Sequence, residues 1–243
     1  MRKINQQKKI NFDFDINNGK YMYYWVKDYM LCTLEVVQKL DLKLNGKEIY
    51  DIGIGRGRAL PLYKTWGIKK VIGIDINKNE TRFALRKAKK LGINLKIIID
   101  SEDNFKLKKI PCQSIEVVAL MNILQMLSSN SQKTIAIEIK RILKQGGIAI
   151  IVDIQKPSLM WFFSLIAGRK MNYLSYKEFM RLFSGLTLVG YGESNYFYGV
   201  NKIMDFFLKI TGKSFFEFIL NKLNLLCKLI GIPATAKIFI FQK

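Results

Sequence analysis

A chain of 243 residues, 49% of them hydrophobic and 24% charged, is long and apolar enough to bury one core, which argues against global disorder. It contains no histidine, and its three cysteines (Cys32, Cys112 and Cys227) are far apart, which argues against a zinc site and a serine–histidine triad. The free cysteines and the polar first twenty residues predict a cytoplasmic protein without a secretory signal or a metal site.

The formal net charge is +21, and lysine contributes more of it than arginine. Such a charge attracts nucleic acid, anionic lipid or acidic substrates. Because Ile, Asn and Lys are abundant together, we favour a compositional bias spread over solvated faces, and a nucleic-acid partner is the less favoured interpretation. A local basic run occurs at residues 2–9, within a polar arm predicted at 1–20.

Strands and helices alternate through the first two thirds of the chain. Apolar residues at helical spacing predict an amphipathic N-terminal helix over 21–40. Buried strands are predicted at 48–53, 70–75, 95–99, 115–120 and 148–153, and helices at 58–66, 79–91 and 131–143. This alternation predicts an α/β fold with a doubly wound, mostly parallel seven-stranded sheet and helices on both of its faces.

The last third departs from this alternation. The sequence predicts a short apolar segment at 161–166, a helix at 175–183, a strand at 186–191, an apolar helical insertion at 198–230 and a last strand at 236–242. Aromatic residues are dense between 161 and 218, which is typical of a lid over an apolar pocket and equally of an insertion packed on the sheet.

The most informative stretch is EIYDIGIGRGR, residues 48–58. Gly53, Gly55 and Gly57 follow a strand and precede a helix, so the backbone can approach a ligand closely at the helix N-terminus. A dinucleotide fingerprint requires its third glycine where Arg58 stands. Asp51 would repel a pyrophosphate and attract an ammonium group. The loop therefore favours a cationic, amino-acid-like nucleoside over NAD.

Acids also end the next two predicted strands. Asp75, about twenty residues after the loop, is placed to accept the two hydroxyls of a ribose. The apolar Ile76 is suited to packing on a purine ring. Asp100 ends the third strand, with Ser101 beside it, where an adenine amino group could be recognised.

In this order, the motifs resemble those of class I S-adenosylmethionine-dependent methyltransferases, and most closely the broad group that contains the ubiquinone and menaquinone methyltransferases. The first motif of that family, D-x-G-x-G-x-G, matches residues 51–57, and the second ends at Asp75. The remaining similar stretches are 100–103, 111–118, 121–125 and 138–147.

The resemblance implies S-adenosylmethionine as the cofactor and a Rossmann-like cofactor-binding core at 21–153. It implies a substrate-side or lid region at 154–234, which includes the insertion, and a last strand at 235–243, all within one domain. The implied cofactor-binding residues are Asp51, Gly53, Gly55, Gly57, Asp75, Ile76, Asp100, Ser101 and Met121. Met121 begins the stretch that lines the methionine end of the cofactor in this family.

No catalytic residue can be assigned from the sequence. Gln125 stands where many relatives carry histidine, and Glu193 and Tyr24 are candidates for a base by location alone. Pro111-Cys112-Gln113 spells the nucleophile motif of the cytosine-C5 methyltransferases, but it precedes the fourth strand here and follows it there.

We therefore expect an enzyme that transfers a methyl group to a small, apolar or lipid-like acceptor, with peripheral contact at the inner membrane surface as a further expectation. Two alternatives stay open: an RNA methyltransferase that uses the basic surface, and a cofactor-binding partner protein without catalytic activity. The oligomeric state is not predicted.

Overall fold

The computed structural model describes residues 20–100, 106–168, 170–194 and 201–243. The helices are α1 (Lys20–Lys39), α2 (Leu60–Thr65), α3 (Lys78–Leu91), α4 (Ser129–Ile142), α5 (Leu159–Ile166), α6 (Tyr176–Leu182), α7 (Asn201–Thr211) and α8 (Lys213–Leu229). The strands are β1 (Glu48–Ile52), β2 (Lys70–Asp75), β3 (Asn94–Ile99), β4 (Ile115–Met121), β5 (Leu143–Lys156), β6 (Leu174–Ser175), β7 (Thr187–Ser194) and β8 (Ala236–Gln242).

The strands form one mixed sheet in the order β3-β2-β1-β4-β5-β8-β7. Strands β1 to β5 pair in parallel, and β8 runs antiparallel between β5 and β7. The two-residue strand β6 pairs with β5 outside this order. The predicted α/β fold with a mostly parallel sheet is therefore confirmed, and the short β6 is an addition to the seven strands expected.

Both faces of the sheet are covered, because alternate residues of its strands point to opposite sides. Ile148, Ile150 and Val152 of β5 join the core that includes α1, whereas Ala149 and Ile151 join the core that includes α4 and α6. Burial on both faces explains why the central strands read as near-continuous apolar runs.

The element boundaries differ from the predicted ones mainly in the last third. The single helical insertion expected at 198–230 is two helices, α7 and α8, separated at Gly212, whose φ of +74° ends the helical backbone. The predicted apolar segment at 161–166 lies in α5, and β5 is longer than expected. The arm at 1–19 lies outside the described residues. None of the described helices has the length and hydropathy that a membrane-spanning helix needs.

Candidate active site

The carboxyl ends of β1, β2 and β4 surround a cavity of about 610 Å³. This is the edge of an open α/β sheet at which ligands bind, and the volume is that of a small-molecule site. The predicted residues Gly53, Gly55, Asp75, Ile76, Asp100 and Met121 all line it. Six residues that the sequence spreads over almost seventy positions are therefore brought together by the strand ends.

The first turn of the glycine loop, residues 53–57, is fitted tightly between β2 and β4. The Gly53 backbone has φ +81° and donates a hydrogen bond to the Ile74 carbonyl at 2.7 Å. A Cβ atom at Gly53 would overlap the side chain of Ile123, which follows β4. Glycine is therefore required at position 53 both by backbone conformation and by the close approach of Ile123.

The Asp75 carboxylate holds the second turn of the loop. One of its oxygens accepts a hydrogen bond from the Gly55 N–H at 2.6 Å, and the other accepts one from the Asn77 N–H at 2.8 Å. A carboxylate has about four acceptor directions, so these two bonds leave further directions for a ligand in the cavity that Asp75 lines.

Gly55 leaves open space above that carboxylate. Its φ is +50°, and the nearest atom to a Cβ placed on Gly55 would be the Asp75 Oδ2 at 4.0 Å. A ligand can therefore approach the backbone of Gly55 and the Asp75 carboxylate at once, as binding of a nucleoside ribose at this motif requires.

Asp100 and Ile76 form the far wall of the cavity. Asp100 is buried, with 9% of its surface exposed, and its N–H donates to the Asp75 carbonyl. Ile76 is half exposed and offers an apolar surface beside the acids. Ser101 lies outside the described residues.

Two predicted residues do not line the cavity. Asp51 is buried beneath the loop, with 1% of its surface exposed, and burial raises its pKa to about 7. Its charge is thus not presented to a ligand in the way the sequence suggested. A Cβ at Gly57 would come within 2.5 Å of Leu60 and 3.0 Å of the Ala84 backbone, so Gly57 allows the loop to pack on α3.

The cavity wall also contains polar residues that were not among the predicted site residues, notably Tyr29, Arg58 and Asn122. Tyr29 belongs to α1, and the sequence pattern indicates only that it is one of the apolar positions of that helix. Burial raises its pKa to about 12, while the nearby positive charge of Arg58 opposes this shift. The phenol therefore stays protonated near neutral pH.

Asn122 follows β4 in a left-handed conformation, with φ +60°. Both polar atoms of its side-chain amide are buried, with the Tyr29 phenol as the polar group beside them and no hydrogen bond of full geometry. Asparagine tolerates this backbone conformation better than most residues, and a buried amide whose hydrogen-bonding capacity is not filled at a cavity wall is typical of a ligand contact. Its position in the stretch that resembles N-x-L-H was the signal for this role.

Arg56 lies against α3. Its guanidinium is 3.5 Å from the Glu80 carboxylate and 3.6 Å from the centre of the Phe83 ring. It therefore ties the glycine loop to α3, and it also lines the cavity.

The other chemical candidates lie elsewhere. Cys112 is exposed at the amino end of β4, opposite the cavity, and accepts a hydrogen bond from Arg141 at 3.3 Å. Tyr24, which belongs to α1, is buried against the helices α7 and α8. Glu193 pairs with Lys237. Neither Tyr24 nor Glu193 lines the cavity. A smaller cavity of about 230 Å³ lies at the amino edge of the sheet beside the paired Lys47 and Glu116.

Comparison with known proteins finds one matching family model. Residues 50–151 match the family model described as a methyltransferase domain. A search of curated protein sequences finds no significant relative.

The fold is shared with solved methyltransferase structures. One, a SAM-dependent methyltransferase from Archaeoglobus fulgidus, is 17% identical with a TM-score of 0.61, and the match covers 92% of this chain and 100% of that one. A geranyl diphosphate methyltransferase in complex with SAM is 15% identical with a TM-score of 0.59, covering 86% and 84%. A geranyl diphosphate C-methyltransferase from Streptomyces coelicolor A3(2), with Mg²⁺, geranyl diphosphate and S-adenosyl-L-homocysteine, is 13% identical with a TM-score of 0.58, covering 86% and 77%.

Residues 50–151 therefore resemble a methyltransferase domain. The fold is the one found in the solved S-adenosylmethionine-dependent methyltransferases.

Proposed function

We propose that this protein binds S-adenosylmethionine in the 610 Å³ cavity and transfers its methyl group to a small, apolar or lipid-like acceptor. The observation that carries the proposal is the arrangement at Asp75. Its carboxylate holds the glycine loop through the Gly55 N–H and still borders the space that Gly55 leaves open. More specific membership of the ubiquinone and menaquinone methyltransferase group stays a prediction.

The cavity residues fit this cofactor in chemical type. Asp75 would accept the ribose hydroxyls, Ile76 would pack on the adenine, and Asp100 would accept from its amino group. Arg58 supplies positive charge for the cofactor carboxylate, and the buried amide of Asn122 offers donor and acceptor groups to the amino-acid end.

The bound cofactor supplies a methyl group activated by its sulfonium, so this chain has mainly to orient the acceptor and exclude water. Tyr29 is a hydrogen-bond donor in the cavity wall rather than a base, because burial keeps its phenol protonated. Met121 and Ile123, at the end of β4, form the wall beside it.

An apolar acceptor is supported by the mouth of the cavity. Its apolar lining residues at the end of β4 and after it are Met121, Ile123, Met126 and Leu127, and 69% of the Met126 surface is exposed. Two of the structurally similar proteins act on geranyl diphosphate, an acceptor with an apolar prenyl chain. A lipid-like acceptor would bring the enzyme to the inner membrane surface, so peripheral membrane contact belongs to the proposal.

Calorimetric titration with S-adenosylhomocysteine tests cofactor binding. Replacing Asp75 by Asn keeps the shape of the side chain and removes its charge and one acceptor, so we expect affinity to fall about 100-fold, or about 2.7 kcal/mol. The matched control is Asp41→Asn, since Asp41 is an exposed acid that pairs with Lys43, far from the cavity lining. No binding by the wild type, or equal binding by both variants, contradicts the proposal.

Incubation with methyl-labelled S-adenosylmethionine and fractionated cell extract tests the acceptor. Label in the lipid or small-molecule fraction supports the proposal. Label in RNA, together with RNA binding that survives about 200 mM salt, favours the RNA methyltransferase. Cofactor binding with no labelled product in any fraction favours a partner protein without activity.

A further inference from the structure

Helices α7 and α8, with Gly212 between them, form a hairpin that packs on α1, and its described side chains there include a small apolar cluster. Met204 and Leu208 of α7 and Phe216 and Leu220 of α8 are buried together with Tyr24 of α1. The rings of Tyr24 and Phe216 lie 5.3 Å apart. The inner face of the hairpin is therefore accounted for by packing within the chain.

The outer face of α8 is also apolar. Phe218, Leu225 and Leu229 are spaced seven and four residues apart, which places them on one side of the helix. Their exposed fractions are 57%, 51% and 74%. Further exposed apolar residues flank this row: Phe215, Leu226 and Ile230 in or after α8, and Ile210 at the end of α7. A contiguous apolar surface of this kind marks a site of interaction.

The charges of the hairpin are predominantly positive. Its residues 201–229 include five lysines and two acids. One of the acids, Glu217, pairs inward with Lys27 of α1 at 3.3 Å. Lys222, by contrast, is exposed with its ammonium 5.6 Å from the Phe218 ring, on the apolar side of the helix.

Exposed apolar side chains with lysines among them are typical of helices that lie in the surface of a membrane. The apolar groups enter the boundary of the acyl chains, and the long lysine stems let the ammonium groups reach the anionic headgroups. Protein–protein interfaces are depleted in lysine, so the lysines among these apolar side chains favour a membrane surface over a protein partner.

We propose that the outer face of the α7–α8 hairpin docks onto a membrane that contains anionic lipid. This deepens the proposed function, because the same helix α1 that supports the hairpin carries Tyr29 into the cofactor cavity. A lipid-like acceptor would then reach a cavity whose wall is connected directly to the docked surface.

Co-sedimentation with vesicles tests the docking. We use phosphatidylcholine vesicles with and without about 30 mol % phosphatidylserine, which supplies the anionic surface. The wild type should bind the anionic vesicles, and the double variant Phe218→Glu/Leu225→Glu should bind at least about ten times more weakly, since two charges replace the groups that insert.

The control is Ile137→Glu on α4, which packs on the opposite face of the sheet. Ile137 is 59% exposed, so the substitution is chemically matched, and vesicle binding should not change. Circular dichroism checks that the helices persist in the double variant. Its affinity for S-adenosylhomocysteine should equal that of the wild type, which separates a failure of docking from a failure of the proposed function.

Three outcomes overturn the docking proposal. The wild type stays in the supernatant, the double variant binds as well as the wild type, or the hairpin mediates self-association instead. Self-association appears in analytical ultracentrifugation as a wild-type dimer that the double variant abolishes, without vesicle binding by either.

Discussion

The glycine-loop edge of the sheet and the α7–α8 hairpin differ in what determines their residues. At the loop, a Cβ on Gly53, Gly57 or Gly73 would overlap or crowd Ile123, Leu60 and Ile54 respectively. Among the described side chains, the hairpin packs on α1 through a five-residue apolar cluster and leaves a row of apolar side chains exposed. The residues of the loop are therefore determined by packing within the chain and by the proposed ligand. Those on the outer face of the hairpin are explained by the proposed membrane surface.

The burial of Asp51 beneath the loop gives the prediction with the largest expected effect. Burial raises its pKa from 3.8 to about 7, and the Asp75 charge acts in the same direction while Tyr63 opposes it. The folded state therefore keeps a proton that the unfolded state releases above about pH 4. The free energy of unfolding should fall as pH rises from about 4 to 7, because the unfolded state alone gains the stable charged form.

The Asp51→Asn variant should lack this component. At about 1.4 kcal/mol per pKa unit, the wild type should lose about 4 kcal/mol more than the variant across that range, measured by urea unfolding. Asp153, whose pKa is also raised well above its usual value by burial, is present in both proteins and cancels in the difference. Equal pH slopes would mean that Asp51 is ionised in the folded state and able to attract a ligand ammonium.

Replacing Gly57 distinguishes a glycine that is required for packing from one that contacts the ligand. Gly57→Ala should lower the free energy of unfolding by about 3 kcal/mol, through positive-φ strain and overlap with Leu60 and the Ala84 backbone. Gly92→Ala, at φ +65° with only the end of the flexible Lys64 side chain at 4.0 Å from the added Cβ, should lose only about 1 kcal/mol. The affinity of folded Gly57→Ala for S-adenosylhomocysteine should stay within a few-fold of wild type. A loss of affinity without a loss of stability would place Gly57 in the cofactor site.

The part of the site that follows from local backbone rules could be predicted from the sequence. Gly53 and Gly55 lie in the turn after β1, and Asp75 is the last residue of β2. The order of the strands alone therefore brings them to the carboxyl edge of the sheet. Tyr29 could not be predicted, because only the packing of α1 on the sheet brings it to the cavity. Asp51 was placed at the correct strand end, but strand alternation does not show whether its carboxylate faces the cavity or the core.

In the last third, the sequence pattern predicted the apolar helices but not their arrangement. The stretch from 198 to 230 is apolar around most of the helix, so periodicity could not locate the break at Gly212 or distinguish the inner Phe216 from the outer Phe218. That distinction depends on Tyr24, almost two hundred residues away.

Replacing Gly55 tests whether the loop backbone contacts the proposed cofactor. Gly55→Ala places a methyl group beside the Asp75 carboxylate, so affinity for S-adenosylhomocysteine should fall about 10- to 100-fold, or about 1.4 to 2.7 kcal/mol. Gly46→Ala is the control, with φ +77° and no atom within 4 Å of a Cβ. Both should lose about 1 kcal/mol of stability, and only the first should lose affinity. Equal affinities would remove the Gly55 backbone from the proposed cofactor site.

Replacing Glu217 tests whether an ion pair or apolar packing holds the hairpin on α1. Of the predictions made here, it has the smallest expected effect. The Lys27 and Glu217 side chains are each 34% exposed, so their ion pair is screened by water and salt. Glu217→Gln should change the free energy of unfolding by about 0.5 kcal/mol or less, and about 1 M salt should remove the difference. A double-mutant cycle with Lys27→Gln isolates the pair. A coupling above about 2 kcal/mol would make the ion pair the anchor; a small one leaves that role to Tyr24 and Phe216, whose buried contact does not depend on salt.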